Sequence, residues 1–270
     1  MDDNQKVSVI MGIYNCAKTL PDAIDSILNQ TYDDWELIMC DDCSTDDTYE
    51  VAKRYQEQYP EKIILLKNET NSKLAFTLNH CLQHATGLYV ARMDADDQSV
   101  PERFEKQVEF LKEHPEFVLV STGIKLFDGK EFYGERRSRK EIPQKEDLCW
   151  GPCFSHATIM MYKRVYDDLG GYYVSKRTER GQDYDLWFRF FQKGYKGCNI
   201  PDCLYIGREG RDFYKRKKYK YRIHSFLTMK NGFKLVHMDK KYYIYLLKPL
   251  AAGLVPGSIM RKIKGKLVHR

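Results

Sequence analysis

Between residues 7 and 121 the chain alternates short apolar runs with stretches of helical spacing, and few architectures accept that rhythm. Val7-Ser8-Val9-Ile10-Met11 is rich in β-branched residues and predicts a buried strand. The segment 18–29 places Leu20, Ala23, Ile24, Ile27 and Leu28 at helical spacing. Its Pro21 falls in the first turn, where a missing N–H costs nothing. Further strands are predicted over 35–40, 63–66, 88–93 and 117–121. Helices are predicted from the Ser44-Thr45-Asp46 cap to about Gln58, over 74–85 and over 101–113. Strands separated by helices of this length form right-handed βαβ units. The expectation is an α/β fold with a mostly parallel central sheet flanked by helices.

In such sheets ligands bind beyond the carboxyl ends of the strands. Asp41-Asp42 and the run Asp94-Ala95-Asp96-Asp97 stand at two of those ends. Acidic residues crowded there lose hydration and repel one another, so a positive group is needed to compensate them. A hard divalent cation with oxygen ligands fills that need and would draw phosphate groups with it. The competing reading is a polar loop whose Asp residues cap the next helix. Two acidic strand ends side by side favour the cation.

The second half changes character. Residues 125–145 read as an irregular connector or hairpin, 157–161 as a strand and 165–170 as a short helix. From Gln182 to Lys193 an amphipathic helix carries Leu186, Trp187, Phe190 and Phe191 on its apolar face. Charge is also divided. Residues 207–270 hold 18 Lys and Arg against 3 Asp and Glu, while the preceding 206 residues hold 26 against 35. An acidic body with a basic tail suggests cation-assisted chemistry in one and an anionic surface for the other. The eight cysteines follow no repeating pattern and read as reduced, mostly buried thiols of a cytoplasmic protein. No leader-like apolar segment opens the chain, and no apolar stretch is long enough to span a bilayer.

Five ordered motifs then converge. They are Ser8-Val9-Ile10-Met11 with Tyr14-Asn15, Ser26 to Thr31, Asp41 to Asp46, Arg92 to Asp97, and Gln182 to Trp187. Together they resemble the family 2 glycosyltransferases over roughly residues 6–210. The resemblance implies a GT-A fold spanning 1–206. A Rossmann-like nucleotide-sugar half of about 1–122 would be followed by an acceptor half of about 123–206, and residues 207–270 would form a basic, aromatic, helical extension. It also implies transfer with inversion from a nucleotide-sugar.

By that resemblance Asp96 is the direct ligand of a Mn²⁺ or Mg²⁺ ion. Asp94 faces the ribose or reaches the metal through water. Asp42 accepts a hydrogen bond from the base, which suits the ring N–H of uracil and hence a UDP-sugar. Ile13, Tyr14 and Asn15 floor the nucleotide pocket. The cation would neutralise the departing diphosphate. Asp183 matches the general base that takes the acceptor hydroxyl's proton, with Asp185 two residues on as the fallback. His156, Gln182 and Trp187 are candidate donor-sugar or acceptor contacts.

Three positions depart from the family pattern. Gln182 replaces an acidic residue, so it cannot tune Asp183 by like-charge repulsion. Cys43 stands where glycine is frequent, and a side chain there must avoid positive φ or bear strain. Lys73 also replaces a frequent glycine near the nucleotide, where it would either clash or supply a cation to a phosphate. Gln182 keeps open a rival reading, an inactive nucleotide-sugar or polysaccharide-binding module of the same fold. A nucleotidyltransferase is disfavoured, because no Gly-rich, basic phosphate loop follows Met11. The tail is dense in Lys, Arg and aromatic residues between Arg211 and Arg222. With no nucleic-acid motif beside it, it suits an anionic membrane surface bearing a lipid-linked acceptor. The expected setting is cytoplasmic, on the inner face of the membrane, in cell-surface polysaccharide synthesis.

Overall fold

A computed structural model describes residues 5–209 and 219–254. Its first part runs β1 (Val7–Ile13), α1 (Leu20–Leu28), β2 (Trp35–Asp41), α2 (Thr48–Gln58), β3 (Ile63–Lys67), α3 (Lys73–His84) and β4 (Tyr89–Arg92). β1 pairs in parallel with β2 and β4, and β2 with β3. Every residue of β2 is buried. Successive side chains on a strand face opposite ways, so a sheet covered on both faces needs continuous apolar runs. Ile10, Ile38 and Val90 accordingly enter one core, while Val9, Leu37 and Ala91 enter the other.

The chain continues through β5 (Gln98–Ser99), α4 (Arg103–Glu113), β6 (Leu119–Phe127), β7 (Phe132–Arg136), β8 (Met160–Tyr162), α5 (Lys163–Leu169), α6 (Gln182–Gln192) and β9 (Gly197–Arg208). All strands join one nine-stranded sheet in the order β3-β2-β1-β4-β8-β6-β9-β5, with β7 on β6. The parallel pattern expected from the sequence holds across the first four strands. The second half is mixed: β8 lies antiparallel between β4 and β6, and β9 is parallel to β6 but antiparallel to β5. The segment 125–145 opens as the β6–β7 hairpin, turning at Gly129 with φ +98°. Strand β8 starts later than predicted, because residues His156–Thr158 form a 3₁₀ turn first. That turn holds half-buried His156 just ahead of β8.

Helices α7 (Tyr219–Leu235) and α8 (Lys248–Leu254) follow. On α7, Phe233 is fully buried and Met229 nearly so, in the same core as Phe188 and Trp187 of α6. The boundary expected at residue 206 falls inside β9, and α7 seals the core beside α6. The described part of the extension is therefore built into the same body. Much of the basic run of 211–222, and the basic residues after 254, lie outside the described residues. No helix among the described residues is long and apolar enough to cross a membrane. All eight cysteines are free thiols, five of them buried.

Candidate active site

A cavity of about 760 Å³ opens beyond the carboxyl ends of β1, β2 and β4. Ile13 and Tyr14 line it from β1, Asp42 from β2, and Arg92 and Asp94 from β4. Strand direction explains the convergence: three parallel neighbours end on the same edge and deliver their next side chains there. Asn15 lies one residue beyond the wall. Its Oδ1 accepts the Thr45 N–H at 2.8 Å, and its own N–H donates to Ser44 Oγ, so it braces the turn after β2.

Asp42 is buried and already engaged. Its Oδ1 accepts from Asn68 Nδ2 and the Ser72 N–H, at 2.9 and 2.7 Å, and its Oδ2 accepts the Lys73 N–H at 2.9 Å. A carboxylate oxygen has two acceptor positions, so Oδ2 retains one toward a ligand. Of the two departures from glycine, Lys73 lines this cavity and Cys43 sits on the turn after Asp42. Both take positive φ, at +71° and +61°. The strain anticipated for a side chain at Cys43 is present, and Lys73 bears the same strain on the cavity wall. Cys40 and Cys43 flank Asp41-Asp42 as a Cys-x-x-Cys pair in sequence, yet their surroundings differ. Cys40 is buried against Asn68 and His80, whereas Cys43 is half-buried on the turn.

At the end of β4, Arg92 is buried and forms an ion pair with Asp94. The Asp94 N–H donates to Tyr205 Oη at 3.0 Å, tying this acidic turn to β9. Asp97 accepts the Arg208 N–H at 2.6 Å. Asp96 is exposed beside them and is not among the residues lining the cavity. The chain packed around it strips part of its hydration, and this loss, then the charge of Asp94, raises its pKa above the ordinary carboxylate value. A cation would relieve that crowding. Among the described residues no three His, Cys, Asp or Glu side chains converge on one metal position. Two carboxylates such as Asp94 and Asp96 nonetheless fit a Mg²⁺-type ion that takes its other ligands from a diphosphate and water.

The far wall comes from the second half. His156, Gln182 and Asp183 all line the cavity. Burial, with the charge of Arg92, pushes the His156 pKa well below its ordinary value, so the imidazole is neutral at pH 7. Its Nε2 pairs with Tyr172 Oη at 2.8 Å. Gln182 is buried and spends its Oε1 on the Gly181 N–H. Asp183 sits in the first turn of α6, and Gly181 before it takes φ +143°. Asp185, the fallback base, is held by Arg177 and Arg189 at 2.8 and 2.9 Å and lines neither cavity described here. Trp187 does not reach the cavity. It is one turn further along α6, fully buried, and packs edge-on to Phe154 at 5.1 Å behind His156.

Sequence reasoning missed a second cavity, of about 820 Å³, between the β6–β7 hairpin, the segment after it and α7. The two cavities share Arg180, Gly181 and Asp183. Asp183 thus faces both spaces. No local motif marks the second wall, because its residues come from segments far apart in sequence.

A parallel nucleotide-type half facing a mixed half across one cleft is the layout of a GT-A glycosyltransferase. Solved structures of low sequence identity carry the same fold. S. aureus TarS 1-349 in complex with UDP-GlcNAc superposes with a TM-score of 0.69 at 17% identity, covering 90% of this chain and 73% of that one. A longer S. aureus TarS structure is matched over 40% of its length. The mannosyltransferase PcManGT from Pyrobaculum calidifontis, in complex with GDP-Man and Mn²⁺, gives a TM-score of 0.63 at 21% identity, covering 98% and 80%. Residues 8–170 match Glycosyl transferase family 2, and the chain belongs to that family. It is 44% identical over 270 residues to the protein named "Putative glycosyltransferase EpsE" of Bacillus subtilis, covering 99% of this chain and 96% of that one. It is 29% identical over 249 residues to the Escherichia coli UDP-Glc:alpha-D-GlcNAc-diphosphoundecaprenol beta-1,3-glucosyltransferase WfaP, covering 90% and 94%. The protein is a glycosyltransferase.

Proposed function

We propose that it moves a sugar, with inversion, from a UDP-sugar to a hydroxyl of a glycan or lipid-linked acceptor in cell-surface polysaccharide synthesis. One observation carries the reading: Asp183 is the carboxylate common to both cavities. A base there meets an acceptor hydroxyl arriving from the second cavity while the donor sugar occupies the first. Taking the proton on the side opposite the diphosphate makes the attack in-line, and in-line displacement inverts the anomeric carbon.

The other residues divide the remaining work. Asp42 Oδ2 accepts the ring N–H of the base, and Ile13 and Tyr14 floor the pocket beneath it. Asp96 would hold a Mn²⁺ or Mg²⁺ ion directly, with Asp94 facing the ribose or reaching the ion through water, and that ion would supply charge neutralisation to the leaving diphosphate. Neutral His156, braced by Tyr172 and backed by Trp187, contacts the sugar. Support for UDP and a divalent cation comes from the ligands named in the TarS and PcManGT complexes. Support for a lipid-diphosphate acceptor comes from the WfaP name.

We place the protein on the inner membrane face through its basic extension. Ile244 and Leu247 are 66% and 54% exposed beside Lys240, Lys241 and Lys248, a pairing suited to an anionic bilayer surface. Truncation would strip Phe233 from the core, so substitution is the sounder test. Flotation with anionic liposomes should drop sharply in a Lys240→Glu, Lys241→Glu, Ile244→Ser variant, and equal flotation ends the membrane assignment.

The enzymatic reading is tested by screening UDP-, dTDP- and GDP-sugars with Mn²⁺ for thermal stabilisation and then for nucleotide release. Asp183→Asn should lower transfer by roughly 10²–10⁴-fold while donor binding persists. Asp96→Ala should abolish Mn²⁺-dependent donor binding. Transfer indifferent to Asp183→Asn would remove the base from Asp183, and donor binding with no turnover would favour an inactive module.

A further inference from the structure

The wall of the second cavity is strongly basic, and its charge is only partly compensated. Seven Lys and Arg side chains line it against two carboxylates, Asp147 and Asp183. Three of the seven are paired: Arg136 with Glu209 at 2.6 Å, Arg137 with Glu135 at 2.8 Å, and Lys140 with Asp147 at 2.9 Å. Arg139, Arg180 and Arg222 have no carboxylate partner among the described residues. Arg180 instead lies over the Tyr221 ring, 4.7 Å from its centroid. These guanidinium groups arrive from three segments: the stretch after β7, the turn before α6, and α7.

Like charges gathered in a concave site repel one another and focus the field on whatever enters. A guanidinium donates hydrogen bonds and accepts none. A neutral sugar hydroxyl both donates and accepts, so it matches a cluster of donor-only guanidinium groups poorly. A phosphate or carboxylate only accepts, and its geometry matches the guanidinium fork. We propose that the second cavity is an anion subsite for the acceptor, taking phosphate or carboxylate groups carried close to the attacking hydroxyl. The inference rests on Asp183 as the base, since that residue joins the cavities. An acceptor lacking a negative group near its reactive sugar is then a poor substrate.

The test uses the full chain saturated with UDP and Mg²⁺, so that the first cavity is filled. Phenoxyundecyl diphosphate and oligogalacturonate are titrated in turn, with phenoxyundecanol as the uncharged background. Binding of the diphosphate above that background, weakened at least tenfold by Arg139→Gln with Arg222→Gln, supports a subsite for a lipid diphosphate. Binding of oligogalacturonate with the same loss supports the subsite and assigns the anion to the glycan itself. Binding of neither probe, or equal binding by the double variant, overturns it. The double variant should melt and bind UDP as the parent does, which shows that it is folded. Failure of the parent to bind UDP would instead count against the donor-site reading, so the two ideas fail separately.

Discussion

Arg92 and Asp94 are joined in an ion pair in which the guanidinium is 3% exposed and the carboxylate 36%. Burial works against the charge on Arg92, and the adjacent carboxylate outweighs it, leaving the guanidinium pKa above its ordinary value. The Arg92 carbonyl in turn accepts a hydrogen bond from buried Arg103 at 2.9 Å. Arg92, itself on the cavity wall, therefore anchors the Asp94 carboxylate beside it.

Removing one member of a buried pair leaves the other uncompensated. Arg92→Met should destabilise the fold by about 3 kcal/mol, the low end for such a loss because Asp94 keeps part of its hydration. Urea unfolding reads the stability, and UDP titration should show weaker binding as Asp94 loses its anchor. Unchanged unfolding would mean that the pair stores no net stability.

His156 gives the pH dependence a definite sign. Burial, with the charge of Arg92, holds its folded pKa well below the value near 6.5 that it regains on unfolding. Below pH 6.5 the unfolded chain takes up a proton that the folded chain refuses, so stability falls as pH drops from 6.5 toward the folded pKa. The slope from this one group is at most about 1.4 kcal/mol per pH unit. His156→Gln should flatten that part of the stability curve between pH 6.5 and 5, measured by denaturant unfolding at fixed ionic strength. A curve as steep as the parent's would assign the acid loss to other groups.

Strands β1, β2 and β4 were legible in the sequence because both of their faces are buried, and half-buried β3 at the sheet's edge because its run Ile63–Leu66 is wholly apolar; well-marked helices separate these parallel neighbours. β9 was not. Pro201 and Asp202 interrupt its apolar run, and it is held by long-range pairing with β6. β5 has two residues and no local signal. The placement of β8 between β4 and β6 follows from tertiary packing that no local spacing encodes. At the site, Asp42, Asp94 and Asp183 were legible because each lies at an element end within a short motif, whereas His156 was reached only through its place just ahead of a strand in the family resemblance. Trp187 was misplaced because a residue four positions after Asp183 shares its helix face. One turn is about 5.4 Å along the axis, enough to carry the indole from the cleft into the core. Arg139, Arg180 and Arg222 could be brought together only by the fold.

The strained turn after β2 offers a different kind of test. Cys43 at φ +61° occupies a conformation that costs an L-residue roughly 1–2 kcal/mol. Glycine removes that cost but adds about 0.5–1 kcal/mol of backbone entropy to the unfolded chain. Cys43→Gly should therefore stabilise the protein by about 0.5–1 kcal/mol, seen as a higher denaturant midpoint at unchanged slope. Nucleotide affinity should hold, since the turn keeps its conformation. A loss of stability would show that the Cys43 side chain contributes packing worth more than the strain.

The attachment of α7 turns on Gly232. A Cβ built there would fall on the Phe188 ring of α6, far inside contact distance. The clash is with a ring that is 1% exposed and locked among Tyr184 and Phe233, at 4.9 and 6.1 Å between centroids. Such a ring has little room to turn aside. Gly232→Val should cost about 1–3 kcal/mol or more, the range for overpacking a dense core. The damage should be directional. α7 would lift from α6, exposing Met229 and Phe233, and Arg222 would leave the second cavity with it. Limited proteolysis should then cut within 219–235 while the nucleotide half keeps its UDP binding, and affinity for an anionic acceptor probe should fall together with the protection of α7. Protection and probe affinity that stayed at parent levels would show that α6 and α7 can separate slightly without disturbing either the core or the basic wall.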